Sequence, residues 1–224
     1  MSLTSLEEIL TGRTESHTAL LKAPIRIHQE VIEPLHKMEQ AAQRAGFEIQ
    51  VCSGFRSFER QVEIWNKKVL AKPDLNASEK IDSILRWSAL PGTSRHHWGT
   101  DLDIIDAKAL RADMKVQLVP EEFEGEGPFC KLHDWLDDHM EKYGFYRPYQ
   151  TERGGVSPER WHLSYFPLAE NYLSSLTEDL VRKVLSESPL LLKDEVVSVL
   201  PVIFSKYVRN VDLKVSKSST NPHA

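Results

Sequence analysis

Apolar residues recur every three to four positions in several stretches of the chain, which is the spacing of amphipathic helices. This spacing predicts helices over residues 3–10, 25–45, 129–143, 168–186 and 193–207. Two further helices are predicted from their start signals. Ser57 can cap a helix over 58–70, and Ser78 can open a helix that runs to about Trp87.

Alternating apolar and polar positions predict three short strands, which cover 47–52, 101–106 and about 160–166. The acidic stretch 107–127 contains glycines and is expected to form a solvent-exposed loop or flap, and 214–224 is expected to be a polar, disordered tail. Helices and few strands are interleaved without a βαβ rhythm. The pattern therefore predicts an α+β fold in which helices flank a small, mostly antiparallel central sheet.

Composition adds limits on location and partners. The 224 residues carry a net charge of -5, and acidic and basic residues are mixed along the sequence. The sequence lacks the basic stripe that phosphate backbones require, so no nucleic-acid partner is expected. No run of about eighteen apolar residues is present, so no membrane span is expected. Residues 1–10 show no export signal, which predicts a cytoplasmic protein, with the periplasm or cell envelope as the alternative if a leader was trimmed. Cys52 and Cys130 are expected to be buried thiols, and their pairing and the oligomeric state are left open.

The stretch 90–106 joins a loop containing proline and glycine to a short strand and carries half of a candidate metal site. The loop holds His96 and His97, and the alternation of the strand places Asp101 and Asp103 on one face. Two carboxylates on one face require a compensating base, water or cation. The nearby imidazoles favour a divalent metal, and zinc accepts this mixture of nitrogen and oxygen ligands.

A second motif, Glu159-x-x-His162, follows a glycine turn and can complete this site. His162 can be the third ligand, while Glu159 can be the general base. If 160–166 is a strand, the two side chains cannot share its face, so Glu159 is expected on the preceding turn. This arrangement differs from the helical HExxH motif. Three protein ligands would leave a water on zinc with a pKa of about 7, and Glu159 would accept its proton.

Three separated motifs of the chain resemble, in the same order, those of the VanY/VanX-type zinc D-alanyl-D-alanine carboxypeptidases, the LAS metallopeptidase family. The motifs are Ser53-Gly-Phe-Arg-Ser57, Ser94-x-His96-x-x-Gly99 with Asp103, and Glu159-x-x-His162. The resemblance covers about 25–167 and implies the LAS/hedgehog-type fold. It also implies one zinc ion per chain, with His96, Asp103 and His162 as ligands and Glu159 as the catalytic base.

The resemblance further implies a set of substrate contacts. Arg56 would steady the substrate carbonyl or the tetrahedral oxyanion, Ser94 would help to hold the terminal carboxylate, and Gln61 would line the same pocket. The implied reaction is hydrolysis of the C-terminal D-amino acid, D-alanine, from peptidoglycan stem peptides or other peptides ending in D-Ala-D-Ala.

One residue departs from the pattern of the family, which usually has alanine where this chain has Asp101. Asp101 is expected to orient His97 or Arg95 from behind the metal ligands, or to contact a substrate amine, and these alternatives stay open. His97 is itself expected behind the ligands, because adjacent residues point apart and the motif spacing fits only His96.

The implied architecture is a single zinc peptidase domain over 1–213, with a core at 25–167 and a C-terminal helical extension at 168–213. An L,D-carboxypeptidase and a peptidoglycan endopeptidase with the same zinc site are the alternatives within the enzyme class. An alternative of another class is a non-catalytic, zinc-containing module that binds peptides. The presence of both Glu159 and Arg56 favours an enzyme.

Other polar residues are expected to have structural roles. His133 and His139 lie on a predicted helix and are interpreted as structural or exposed. Asp134 and Asp137 have no matching motif and are interpreted as solvated or capping residues.

Overall fold

The computed structural model describes residues 3–212 and 214. Its helices are α1 (Ser5–Thr11), α2 (Ile32–Arg44), α3 (Phe58–Leu70), α4 (Ala77–Leu85), α5 (Cys130–His139), α6 (Phe166–Ser175), α7 (Glu178–Ser186), α8 (Lys193–Ser198) and α9 (Leu200–Ile203). Its strands are β1 (Thr18–Lys22), β2 (Ile25–His28), β3 (Ile49–Ser53), β4 (Asp101–Asp106), β5 (Phe145–Tyr146) and β6 (His162–Tyr165). Apart from Lys214, the predicted tail at 214–224 lies outside the described residues.

The strands form two antiparallel sheets. β1 and β2 make a two-stranded hairpin, and the central sheet has the strand order β3-β4-β6-β5. All three pairings within the central sheet are antiparallel. The prediction of an α+β fold with a small antiparallel sheet is therefore confirmed.

The predicted helix at 25–45 is wrong at its N-terminal end. Residues Ile25–His28 form strand β2, and α2 begins only at Ile32. Alternation in Ile25-Arg-Ile-His suits a strand, and pairing with β1 supplies the hydrogen bonds that a helix would have made. Because Ile27 fits both periodicities, the helical spacing alone could not separate the two.

Capping explains the limits of the next two helices. The backbone N–H of Arg60 donates to the Ser57 hydroxyl over 3.1 Å, which confirms the predicted start of α3. The predicted start of α4 at Ser78 is wrong, because Asn76 is the cap. The side chain of Asn76 accepts from the Glu79 N–H, and the Glu79 carboxylate accepts from the Asn76 N–H.

The C-terminal helices are shorter than predicted. The stretch 168–186 is divided into α6 and α7, because the Thr177 hydroxyl accepts from the Leu180 N–H and starts a new helix. The stretch 193–207 comprises α8, α9 and a π-helical turn over Phe204–Val208. Pro201 lies in the first turn of α9, where the missing N–H of proline costs nothing.

The stretch 107–127 was expected to be a solvent-exposed loop or flap, and this is wrong for Glu122 and Phe123, which are buried, whereas the other glutamates of the stretch are exposed as expected. Phe123 is fully buried and packs against Phe129 and Trp161. The carboxylate of Glu122 accepts backbone N–H groups from residues 117–119. A buried aromatic anchor and these hydrogen bonds hold the segment against the body of the protein.

Two large hydrophobic clusters form the core. One lies between the central sheet, α2 and α5, and includes Leu35, Leu102 and Leu163. The other joins α3 and α4 to the helices of the extension, and includes Trp65 and Val181. No helix in the described residues is both long and apolar enough to cross a membrane. Cys52 and Cys130 are half-buried free thiols.

Candidate metal centre

His96 lies in a short 3-10 turn, Arg95–Trp98, that ends at Gly99. Gly99 has a φ of 66°, and a Cβ atom there would lie 2.7 Å from the backbone nitrogen of His28. Glycine is therefore required both by the left-handed backbone and by the close approach of β2. This turn brings His96 beside the strand that follows it.

The register of the central sheet completes the arrangement. Asp103 of β4 lies directly opposite His162 of β6. One ligand atom from each of His96, Asp103 and His162 lies within 4.8 Å of the others, and all three residues are buried. Nε2 of His96 is 3.4 Å from Oδ2 of Asp103, and Nδ1 of His162 is 3.2 Å from Oδ1.

Hydrogen bonds determine which ring nitrogens carry protons. Nδ1 of His96 lies 2.8 Å from the carbonyl oxygen of Gly54, and Nε2 of His162 lies 2.9 Å from Oδ1 of Asp101. Carbonyl and carboxylate oxygens only accept, so these two nitrogens donate. When the rings are neutral, as binding to a metal requires, Nε2 of His96 and Nδ1 of His162 keep the lone pairs, and both nitrogens face Asp103.

The site attracts positive charge. Burial opposes the charged form of Asp103, yet His96 and His162 hold its pKa below the usual value. Burial also opposes protonation of His162, but Asp101 and Asp103 raise its pKa to about 10. Oδ1 of Asp103 is buried and makes no hydrogen bond in the described chain. Two imidazole nitrogens and a carboxylate oxygen without a hydrogen bond are a donor set that fits zinc.

Glu159 lies on the turn before β6, as its position relative to the strand predicts. Its N–H donates to the Tyr149 carbonyl over 2.9 Å, and its Oε2 is 3.6 Å from Nδ1 of His162. Burial, with a smaller contribution from Asp103, raises the pKa of Glu159 to about 7. A carboxyl group with that pKa can exchange protons near neutral pH.

Arg56 lies between β3 and α3 and lines the same cavity. Its guanidinium donates to Oε1 of Gln61 over 3.0 Å and to the Ser53 hydroxyl over 3.2 Å. Gln61 is fully buried and also donates to the Ala89 carbonyl over 2.7 Å. Gln61 is absent from the cavity lining, so the structure places it behind Arg56 and not at the surface that a substrate would touch.

A cavity of about 740 Å³ opens onto these groups. Its lining includes His96, Asp103, His162, Glu159, Arg56 and Ser94, and it also includes residues 117–121 of the segment that precedes Phe123. The structure thus brings together every predicted metal-binding and catalytic residue. It also places Ser94, which is almost fully buried, in the same wall.

Asp101 is fully buried behind His162. Its Oδ1 accepts from Nε2 of His162 and, over 2.8 Å, from Nε of Arg95. Its Oδ2 accepts from the hydroxyls of Thr100 and Ser164. Among the open alternatives for Asp101, the structure shows the contact with Arg95, and it adds a contact with His162 that the sequence did not indicate.

His97 lies apart from the candidate ligands, and no described hydrogen bond joins it to Asp101. Its Nδ1 donates to the Arg56 carbonyl over 2.7 Å, and its Nε2 accepts from the Gly92 N–H over 3.1 Å. Burial lowers the pKa of His97 to about 3. His97 therefore stays neutral and fixes the backbone from which Arg56 projects.

Sequence reasoning missed several residues of the cavity wall. Lys68 and Ile64 lie on the face of α3 that also carries Gln61, and their helical spacing was an available signal. Arg95 and Tyr149 also line the cavity, but Tyr149 lies in a loop for which the sequence offered no signal. Trp87, which is 45% exposed, stacks on Trp161 with ring centroids 6.5 Å apart.

A family of known proteins matches most of the chain. The family model described as VanY, D-alanyl-D-alanine carboxypeptidase, matches residues 24–168. The chain belongs to the VanY family. The match covers all three motifs and confirms the resemblance, while α7, α8 and α9 lie outside it.

Among curated proteins, the chain is 33% identical over 121 residues to an uncharacterized protein of Haemophilus influenzae, covering 53% of this chain and 92% of that one. It is 32% identical over 146 residues to a D-alanyl-D-alanine carboxypeptidase of Enterococcus faecalis, covering 62% of this chain and 48% of that one. The match thus spans about half the length of this carboxypeptidase relative.

Solved structures of VanY proteins share the fold. VanYB in complex with D-alanine-D-alanine has a TM-score of 0.55 and 26% identity, covering 79% of this chain and 92% of that one. A mutant of the vancomycin-resistance D,D-pentapeptidase VanY in complex with Zn(II) has a TM-score of 0.53 and 27% identity, covering 73% and 88%. These likenesses confirm the LAS-type α+β fold and support a metallopeptidase enzyme.

Proposed function

We propose that this protein is a zinc-dependent carboxypeptidase that removes the C-terminal D-alanine from peptidoglycan stem peptides or other peptides ending in D-Ala-D-Ala. The observation that carries the proposal is the convergence of His96, Asp103 and His162, with Glu159 beside them, on one cavity. The structural neighbours with Zn(II) and with D-alanine-D-alanine support the choice of metal and peptide.

The metal would be held by Nε2 of His96, Nδ1 of His162 and a carboxylate oxygen of Asp103. Zinc bound there would polarise the scissile carbonyl and lower the pKa of a bound water. The chain prepares the ligands in advance. The Gly54 carbonyl and the Asp101 carboxylate hold the ring N–H groups, so neither imidazole has to reorient when the metal binds.

Glu159 is the proton carrier in this proposal. As the carboxylate it accepts a proton from the attacking water, and as the acid it returns a proton to the leaving amine. In the metal-free protein, burial raises its pKa to about 7, so both the carboxylate and the acid are accessible near neutral pH. Its placement on the turn brings the carboxyl to 3.6 Å from a metal-facing nitrogen while leaving it outside the ligand set.

Arg56 neutralises negative charge that develops on the scissile carbonyl oxygen. Gln61 and Ser53 fix two arms of its guanidinium, and His97 fixes its carbonyl. A cation that is already held in position stabilises the transition state without reorganising during the reaction. Ser94 contributes to the part of the cavity that receives the departing residue.

The first experiment is digestion of a panel of synthetic stem peptides followed by mass spectrometry. The peptides end in D-Ala-D-Ala, L-Lys-D-Ala or meso-diaminopimelyl-D-Ala, and each is treated with metal-stripped and zinc-restored protein. We expect the zinc-restored protein, but not the metal-stripped protein, to remove a single D-alanine from the D-Ala-D-Ala peptides. Loss of D-alanine from only the L-Lys or diaminopimelyl peptides would instead assign an L,D-carboxypeptidase.

The variant Glu159→Gln separates an enzyme from a module that only binds peptides. General acid and base catalysis is typically worth about 10²–10⁴-fold, so we expect a rate loss of that size with unchanged zinc content. Glu170→Gln is the matched control, because Glu170 is exposed on α6. If zinc-loaded wild type cleaves none of the peptides, the carboxypeptidase proposal is overturned.

A further inference from the structure

The segment 117–121, which forms one wall of the candidate cavity, contains a residue in a strained backbone conformation. Leu118 has a φ of 56°, in the left-handed region that residues other than glycine rarely adopt. Leucine has no short polar side chain that could hydrogen-bond locally and stabilise this conformation. Strain of this kind persists only where the surrounding structure enforces it, and it is frequent where the chain contacts a ligand.

The Glu122 side chain enforces the conformation of Leu118. Its carboxylate is 8% exposed and accepts from the N–H groups of Gln117 over 3.0 Å, Leu118 over 2.7 Å and Val119 over 3.4 Å. Three successive N–H groups converge on one carboxylate only when the backbone curls around it. Glu122 therefore fixes the direction in which the chain presents Leu118.

The segment is also fastened to the strand end that carries a candidate metal ligand. Phe123 is fully buried, and its ring centre lies 5.1 Å from that of Trp161. The carbonyl oxygen of Phe123 accepts from the Arg160 guanidinium over 2.8 Å. Trp161 directly precedes His162. The position of this wall relative to the candidate metal site is thus set before a substrate binds.

Leu118, Trp161 and Trp87 form an apolar strip in the lining of the cavity. Leu118 is half-buried and packs against the hydrophobic cluster that includes Trp161. Trp87 stacks on Trp161 with 15° between the ring planes. Because Trp87 is 45% exposed, the strip runs from the neighbour of His162 out to solvent. Apolar side chains left open in a cavity gain free energy when a ligand removes them from water.

We propose that the apolar strip binds the aliphatic side chain of the substrate residue that precedes the terminal D-Ala-D-Ala, and that Glu122 is a positioning residue that holds Leu118 for this contact. The inference rests on the proposed function and names what the site recognises beyond the two D-alanines. In stem peptides that residue is L-lysine or diaminopimelate, whose side chain contains a run of methylene groups. The cavity of about 740 Å³ has the size that accommodates drug-sized molecules, which leaves room for this residue.

The test compares acetyl-L-norleucyl-D-Ala-D-Ala with acetyl-L-alanyl-D-Ala-D-Ala as substrates of the zinc-loaded protein. The two peptides differ only in the length of one uncharged hydrocarbon side chain. We expect kcat/KM to be at least about tenfold higher for the norleucyl peptide, because each buried methylene strengthens apolar binding. Leu118→Ala should remove most of this ratio. Leu110→Ala is the matched control, because Leu110 is exposed in the same connecting segment and does not line the cavity.

Glu122→Gln tests the positioning role, because the amide places an N–H donor where the carboxylate accepts. We expect the ratio to fall several-fold through KM, with kcat and zinc content unchanged. Glu124→Gln, an exposed neighbour, should keep the ratio. The double variant Leu118→Ala/Glu122→Gln should show the ratio of Leu118→Ala alone, since Glu122 acts through Leu118. A Glu122→Gln variant with lower thermal stability but an unchanged ratio would overturn the positioning role.

Calorimetric binding of the same two peptides separates this proposal from the proposed function. If the zinc-loaded wild type cleaves neither peptide, the carboxypeptidase proposal fails, whereas tighter binding of the norleucyl peptide that is lost in Leu118→Ala would leave the apolar strip standing. Equal binding of the two peptides, or binding of neither, would overturn the strip. Cleavage of both with equal kcat/KM would also overturn it and leave zinc-dependent hydrolysis standing. If Glu122→Gln fails to fold, an unchanged ratio in Leu118→Ala still overturns the proposal.

Discussion

Two groups of charged and histidine side chains lie against strand β4, and they differ in how completely they are hydrogen-bonded. The metal cluster comprises His96, Asp103, His162 and Glu159. The α5 cluster comprises His133, Asp134, Asp137, Arg147 and Arg160. In the metal cluster, Oδ1 of Asp103 and the carboxyl of Glu159 have no hydrogen bond among the described residues.

The side chains of the α5 cluster are hydrogen-bonded, mostly to one another. His133 donates from Nε2 to the Ile104 carbonyl and accepts at Nδ1 from Arg147. Arg147 also donates to Asp137, and Arg160 donates to both Asp134 and Asp137. His133 was predicted to be structural or exposed, and it is structural, because it is fully buried and hydrogen-bonded. Asp134 and Asp137 are exposed to solvent as predicted, and both also accept from Arg160. The two clusters contain similar types of residue. They differ because side chains in the metal cluster lack hydrogen-bond partners among the described residues, whereas those of the α5 cluster have them.

Replacing one histidine in each cluster tests this difference most directly. His162→Ala should lower zinc affinity by more than the roughly 10–100-fold that loss of a ligand's outer partner costs. His133→Ala should leave zinc affinity unchanged and destabilise the fold by about 2–4 kcal/mol, because it removes a fully buried side chain and its hydrogen bonds to the Ile104 carbonyl and to Arg147. Zinc titration and thermal unfolding of both variants provide the check, and similar profiles for the two would contradict the comparison.

The two clusters also show what sequence could predict. The sequence indicated the candidate metal ligands and Glu159 because each lies in a short motif at fixed spacing within one turn or strand. Arg95 and Tyr149 were missed because their positions in the cavity wall depend on distant partners, such as the meeting of Arg95 with Ser164 of β6. The start of α2 and the burial of Phe123 were mispredicted for the same reason, since tertiary packing decided both.

A pair of arginines extends the comparison to catalysis. Arg56→Lys should lower kcat by about 10²–10³-fold, the usual cost of losing a positioned donor to a developing oxyanion. Arg147→Lys should leave kcat unchanged, because the hydrogen bonds of the Arg147 side chain within the described residues all go to members of the α5 cluster. Steady-state kinetics of both variants on one D-Ala-D-Ala peptide provides the measurement. An unchanged kcat in Arg56→Lys would show that Arg56 does not stabilise the transition state.

Asp101 provides a smaller and more specific test. Asp101→Asn keeps the shape of the side chain but weakens the acceptor for His162, so zinc affinity should fall by about 10–100-fold. Asp137→Asn, in the α5 cluster, should leave zinc affinity unchanged. Metal-free unfolding temperatures of both variants show how much of any change reflects the fold, because Asp101 also balances the buried charge of Arg95.

The smallest expected effect is on pH dependence. Burial and the charge of Arg147 lower the pKa of His133 to about 3, whereas its unfolded value is about 6.5. The unfolded chain therefore binds the extra proton below about pH 6.5, and stability falls as the pH decreases from there toward 3. His133→Gln should reduce this loss by about 1 kcal/mol between pH 7 and 5.5. The measurement is the free energy of unfolding of variant and wild type as a function of pH. Parallel curves for the two proteins would contradict this prediction.

The register between β4 and β6 also affects which parts of the cavity can vary during evolution. Asp103 and His162 face each other across one strand pair, and the chain between the strands, 107–161, supplies much of the cavity wall. A shift of one residue in either strand would turn a ligand to the opposite face. An insertion in the connecting segment would leave the ligands in place. Substrate preference can therefore diversify through loop length and sequence, while the metal centre is inherited unchanged with the strand pair.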